Sequence, residues 1–166
     1  LTRELGSDNI DYRLRNAEFT AFEGIRWLGT SIASLTQLQR AFVVGSNLRK
    51  DHPLMAQRLR QAAKRGTQIL MVDSAADDPL MPVAARITVA PSELPRALAE
   101  VAVALAQSRE QAVPAEFASV TPGENAKIIA ASLASGANTA VLMGNLAVAS
   151  AQASTLAANG LSLIHI

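Results

Sequence analysis

Cysteine is absent from all 166 residues. That excludes disulfides, zinc–thiolate sites and cysteine-ligated iron–sulfur clusters within this chain, and it fits a reducing compartment. Charge of one sign is lacking too. Fifteen basic residues stand against fourteen acidic ones, a formal net charge of +1, with no long block of either sign. Bulk electrostatics therefore gives no reason to expect nucleic acid or a membrane surface as partner. Long apolar runs are missing: none approaches the length of a membrane-spanning helix, and Leu1–Asp11, LTRELGSDNID, has neither the basic start nor the apolar middle of a signal peptide. The reading is of a soluble chain without direct membrane insertion.

What is present is a core. Apolar residues make up 49% of the sequence, enough for one α/β domain or one domain with part of a second. The chain opens on Leu and enters directly into polar sequence, so an upstream part of a longer protein is expected. At the other end, Leu161–Ile166, LSLIHI, is what CTG TCT CTT ATA CAC ATC encodes, the mosaic-end adapter of a transposon-based sequencing library. Native sequence is expected to stop near Gly160. The alternative is a short terminal strand, which the alternation would suit; under either reading His165 is not a metal ligand.

Arg40–Gly45, RAFVVG, and Thr67–Asp73, TQILMVD, are short apolar runs that stop at small or acidic residues, as buried parallel strands do. Between them the pattern predicts a helix capped by Asp51 or His52, with Pro53 in its first turn. Met55, Leu59, Ala62 and Ala63 form its apolar face, and Gly66 is its stop. Arg86–Ala90 reads as a third strand, followed by a helix capped at Ser92 with the stripe Leu94, Leu98, Val101, Ala102 and Leu105. Val113–Val120 carries only weak signals. Thr121 and Glu124 have capping-box spacing ahead of a helix carrying Ile128, Ile129 and Leu133, which Gly136 should end. Asn138–Gly144 reads as a fourth strand and residues 145–158 as an alanine-rich helix. Ile32, Leu35 and Leu38 give a short stripe before the first strand. The alternation predicts a doubly wound, mostly parallel α/β sheet of Rossmann-like type, with any ligand crevice at the carboxyl ends of the strands.

Two glycine turns occupy equivalent places there: Gly45-Ser46-Asn47 after the first strand and Gly144-Asn145 after the last. Glycine lets backbone amides approach a phosphate, and a following helix adds positive potential. Neither turn has GxGxxG or P-loop spacing, and glycine at a strand-to-helix turn commonly answers a steric need instead. Arg49, Lys50, Asp51 and His52 could grip a phosphate or a neighbouring subunit, or could cap a helix and stay solvated. Asp73 ends the second strand where dinucleotide folds often place a ribose-binding carboxylate. Asp77 and Asp78 could bind a cation, although Asp before Pro79 more often shapes a loop. No Ser/His/acid or paired-carboxylate arrangement stands out, so no catalytic residue is expected.

Together LGSDNIDYRLR, SIASLTQLQ, RAFVVGSNLRKDHPLMAQRLRQAAKRGTQILMVD and VLMGNLAVAS resemble the molybdopterin-oxidoreductase-like region of the large iron–sulfur subunit of bacterial respiratory complex I, the NADH-quinone oxidoreductase. The likeness covers most of residues 5–150 and is most specific over Val44–Gly66. In the wider superfamily of formate dehydrogenases and nitrate reductases the first loop typically continues Gly-x-Asn-Pro and the second strand ends Asp-Pro-Arg. Here Asn47 is followed by Leu48, and Asp73 by Ser74 and Ala75, so the arginine expected beside the pterin phosphates is missing.

Three segments are expected: residues 1–38, less regular in pattern, crossing from a neighbouring subdomain; 39–160, by the resemblance, a molybdopterin-oxidoreductase-like α/β domain; and 161–166, by the adapter match, adapter translation. The resemblance makes Gly45, Ser46, Asn47, Asp73, Gly144 and Asn145 a vestigial cofactor cradle. It implies no cofactor in this piece, iron–sulfur clusters upstream, other complex I subunits as partners, and a cytoplasmic, peripheral position on the inner membrane. The parent assembly would oxidise NADH and reduce quinone, while this piece alone would be inactive. A pterin-dependent molybdenum or tungsten oxidoreductase and a generic nucleotide-binding module are the alternatives.

Overall fold

The computed structural model describes residues 28–113, 115–153 and 155–156, together with residues 4 and 6. The 161–166 tail and most of the 1–38 segment lie outside the described residues. Four strands, β1 (Arg40–Val44), β2 (Gln68–Asp73), β3 (Ala85–Thr88) and β4 (Thr139–Met143), form one sheet in the order β3-β2-β1-β4. All pairings are parallel, with Val43 opposite Met71 on one side and Leu142 on the other. The fold is a doubly wound α/β sheet.

The strands read as continuous apolar runs because both faces of the sheet are covered. Alternate residues divide between two cores. Phe42, Val44, Leu70 and Val72 face helices α3 (Leu94–Ser108) and α4 (Glu124–Ala134). Ala41, Val43, Ile69 and Met71 face helix α2 (Pro53–Ala63) and the 3-10 segment Ile32–Gln37, which contributes buried Leu35. The steps from β1 to β2 to β3 run one way across the sheet, and their connections cross on the α2 face. The return to β4 runs the other way and crosses over α3 and α4, as uniform handedness requires. The 74–84 connection crosses without a helix, its Met81 buried in the α2-side core.

Several local expectations are corrected. A four-residue helix, α1 (Leu48–Asp51), precedes α2; His52 is the N-cap residue of α2, without a side-chain cap bond, and Asp51 does not cap it. The Asp51 carboxylate instead accepts from the Asn47 amide at 3.0 Å, within its own turn. Ala56 joins Leu59 and Ala62 on the buried face, whereas Met55 and Ala63 are half-buried. Ser92 falls inside the 3-10 turn Pro91–Glu93 and caps nothing; Pro91 and Pro95 set the backbone there. The Thr121 capping box does not form: Gly123 is the N-cap residue, and its amide donates to Glu100 of α3 at 3.1 Å. Ile129 and Leu133 are buried, but Ile128 is 46% exposed. Helix α5 (Asn145–Val148) is one turn, and after a break at 149–152 the chain is helical again at Ala153, Thr155 and Leu156, whereas residues 154, 157 and 158 of the expected run lie outside the described residues. Ser150 interrupts it, its carbonyl accepting from Ala153 N and its hydroxyl from Gln152 N.

Candidate functional site

The order β3-β2-β1-β4 makes the β1–β4 border the place where successive connections diverge, the usual position of a ligand crevice in an open α/β sheet. Both glycine turns fall there. Gly144 N donates to Val44 O at 2.8 Å and Leu146 N to Gly45 O at 2.9 Å, so the two turns lie side by side and are joined backbone to backbone. Gly45 N reaches Val72 O at 2.8 Å, which brings in the end of β2 with Asp73. All six residues singled out from the sequence therefore meet at the carboxyl ends of three adjacent strands.

The turns pack against one another. A Cβ on Gly144 would stand 2.1 Å from the Ser46 Cβ and 2.5 Å from the Gly45 carbonyl oxygen. A Cβ on Gly45 would stand 2.7 Å from the Ala147 amide nitrogen, and Gly45 also has φ +59°, a left-handed conformation that suits glycine. Ser46 is 2% exposed, wedged between the turns, and its hydroxyl has no partner. Steric demand for close backbone approach accounts for both glycines without a ligand.

The Gly45 and Asn47 amides of the first turn are engaged. Asn47 N is taken by Asp51, and the Lys50 and Asp51 amides both donate to Asn47 O. Helices α1 and α5 have only four residues each, too short to build a strong positive pole. Asn145 is exposed while Gly144 beside it is buried.

Asp73 is 8% exposed. Burial pushes its carboxyl above the ordinary value; the Ser74 amide and the Arg86 guanidinium pull it back, and the charges of Asp77 and Asp51 push it further up. Its Oδ1 accepts from Ser74 N at 2.7 Å. This acid is turned inward among other acids, unlike a ribose-binding carboxylate presented to a ligand. Asn47 Nδ2 donates to Asp77, and Arg49 Nη1 donates to Asp78 O at 2.9 Å, so α1 and the loop after β2 are laced together over this end of the sheet. Asp77 and Asp78 thus serve loop contacts, and no cluster among the described residues has the composition and geometry to hold a metal ion.

Sequence reasoning missed Arg86. It stands opposite Met71 across the β2–β3 pair and donates to the Met71 sulfur at 3.3 Å, while its Nε is buried without a partner. Its role as the cation facing Asp73 depends on strand register, which no local spacing discloses. At the opposite, amino end of the sheet lies an open depression of about 270 Å³, lined by residues that include Gln37, Gln39, Arg40, Arg65 and Gly66. Arg40 is already committed there, with Nε on Ser132 O at 2.9 Å and Nη2 on Ser135 Oγ at 3.1 Å, closing the last turn of α4.

No protein-family model and no curated protein matches this sequence.

Proposed function

We propose that the chain is a scaffold region of the large iron–sulfur subunit of bacterial respiratory complex I, an α/β domain of molybdopterin-oxidoreductase type whose cofactor crevice is filled by its own loops. The observation that carries the reading is the contact of Gly144 with Ser46, where no Cβ could enter. A turn that cradled a pterin phosphate would leave its amides open to the ligand. Here the Asn47 amide is spent on Asp51, and Leu146 N on Gly45 O.

The residues present do not fit a pterin cofactor. Ser74 and Ala75 follow Asp73 where the superfamily supplies an arginine, and Arg86 cannot take that part, because its guanidinium lies beside the Met71 sulfur. The buried Asp73 carboxyl is turned to the Ser74 amide and offers a phosphate no donor. With no cysteine in the chain, any cluster of the parent is held elsewhere. The contribution of this region is then mechanical: a rigid sheet that supports electron-carrying neighbours at the cytoplasmic side of the membrane. Among the described residues no helix is long and apolar enough to cross a membrane.

The test is to express the complete parent subunit in a host that makes the pterin cofactor, then assay metals by mass spectrometry and oxidised pterin by fluorescence. Iron without stoichiometric molybdenum, tungsten or pterin is expected. Near-stoichiometric pterin with molybdenum or tungsten would overturn the reading in favour of a formate-dehydrogenase-like enzyme.

A further inference from the structure

Among the described residues, no acid lines the depression at the amino end of the sheet. Arg40, at the start of β1, and Arg65, just after α2, both line this space of about 270 Å³. The segments that supply the four strand starts, residues 28–41, 60–70, 79–86 and 131–141, hold no Asp or Glu. Glu110, which follows α3, is not among the lining residues. Every charged group on the lining is therefore a guanidinium.

Arg40 is held in place there. Its stem fills the space that Gly136 leaves open, since a Cβ on Gly136 would stand 2.5 Å from Arg40 Cγ. Its guanidinium donates to Ser132 O and to Gln39 O, both at 2.9 Å, and to Ser135 Oγ at 3.1 Å. These acceptors are neutral oxygens, and they leave further N–H groups of the guanidinium free. The carbonyl end of α4 balances part of the charge, but no described carboxylate reaches it: the ion pairs among the described residues join Arg96 to Glu93 and Glu100 and Lys127 to Glu124, and none includes Arg40 or Arg65. The other polar side chains add donors. Gln39 Oε1 is taken by Ala137 N at 2.9 Å, so what Gln39 has left to offer is its NH2 group. The side chains of Arg65 and Gln37 have no hydrogen bond among the described residues.

We infer that this depression is a site for a small phosphate dianion, with Arg65 and the free N–H groups of Arg40 meeting its charge and the Gln37 and Gln39 amides at its edge. Two guanidinium forks on one concave surface match tetrahedral oxygens and balance two negative charges. The volume is below that of a drug-sized pocket and suits a single phosphoryl group. A nucleotide fits less well, because no aromatic side chain lines the depression to stack on a base. A metal ion fits least, since the lining offers two cations and no carboxylate. The inference goes beyond the scaffold reading and stands whether or not the parent is complex I.

The test is an NMR titration of the full 166-residue chain with inorganic phosphate, compared with chloride at matched ionic strength. It is read at the Gly66 amide, the Arg40 and Arg65 Nε–H groups and the Gln37 and Gln39 side-chain amides. Saturable shifts confined to these groups, at millimolar phosphate, are expected. Arg65→Gln should weaken binding about tenfold at an unchanged melting temperature. Lys64→Gln removes the same charge one residue away and should leave the affinity within about twofold. Absent or non-saturating shifts, equal affinity in Arg65→Gln, an equal loss in Lys64→Gln, or the same shifts with chloride alone would each overturn the proposal.

Discussion

The two ends of the sheet invert the usual division of labour in an open α/β fold. At the carboxyl ends, where ligands normally enter, Gly45, Ser46 and Gly144 close on one another, and the loops after β1 and β2 are laced by Asn47 and Arg49. At the amino ends, normally only structural, an open depression of about 270 Å³ remains. Topology decides where loops diverge, but the residues decide whether the gap is kept. The same glycines that could admit a phosphate admit a second backbone segment instead, and the sequence pattern is alike in the two cases.

Substitutions can break or sharpen that contrast. The largest effect is expected for Gly144→Ala, whose new Cβ meets the Ser46 Cβ at 2.1 Å: overpacking should cost about 3 kcal/mol in urea unfolding. An unchanged midpoint would mean that the turns are not packed together. At the amino end, Arg40→Ala removes the guanidinium that closes α4 through Ser132 O and Ser135 Oγ. A loss of about 2 kcal/mol is expected, and a neutral result would show that α4 ends without this support.

A smaller, pH-dependent effect belongs to Asp73. Its folded carboxyl lies above the ordinary 3.8, so the folded state binds the proton more tightly than the unfolded chain does. The stabilisation given by the protonated form is complete below the unfolded value and is lost as pH rises through the folded value. Asp73→Asn should therefore match the parent chain in stability at low pH and exceed it at neutral pH, read from melts across the acid range. An Asn variant less stable at neutral pH would show that the charge itself is needed. Smallest of all is Arg65→Ala on the exposed rim of the amino-end depression, expected within about 0.5 kcal/mol of the parent; a larger loss would give that depression a structural duty.

Much of this architecture was legible because it rests on local pattern. Strands buried on both faces read as unbroken apolar runs, the α3 stripe from Leu94 to Leu105 is fully buried, and Gly66, with φ +100°, stops the chain after α2. The six residues could be singled out because they end a strand or follow one closely. The misses share a different cause: tertiary partners took over local roles. The helix start moved to Gly123, whose amide is held by Glu100 of α3 in place of a Thr121 box. Asp51 turned back to Asn47 instead of capping forward. Ser150 formed its own turn and interrupted an alanine-rich helix that is helical again at Ala153. That the two glycine turns would fill each other was not legible, because it depends on β4 lying next to β1, a pairing across about a hundred residues.

The most direct test of the closed crevice is an amide NMR titration of the full chain with inorganic pyrophosphate, read at Ser46, Asn47, Asn145 and Leu146. The filled crevice predicts no saturable shifts at millimolar pyrophosphate and slow hydrogen exchange at Leu146, whose amide is held by the Gly45 carbonyl. Saturable shifts confined to those four amides, with fast exchange at Leu146 in the free chain, would contradict the account.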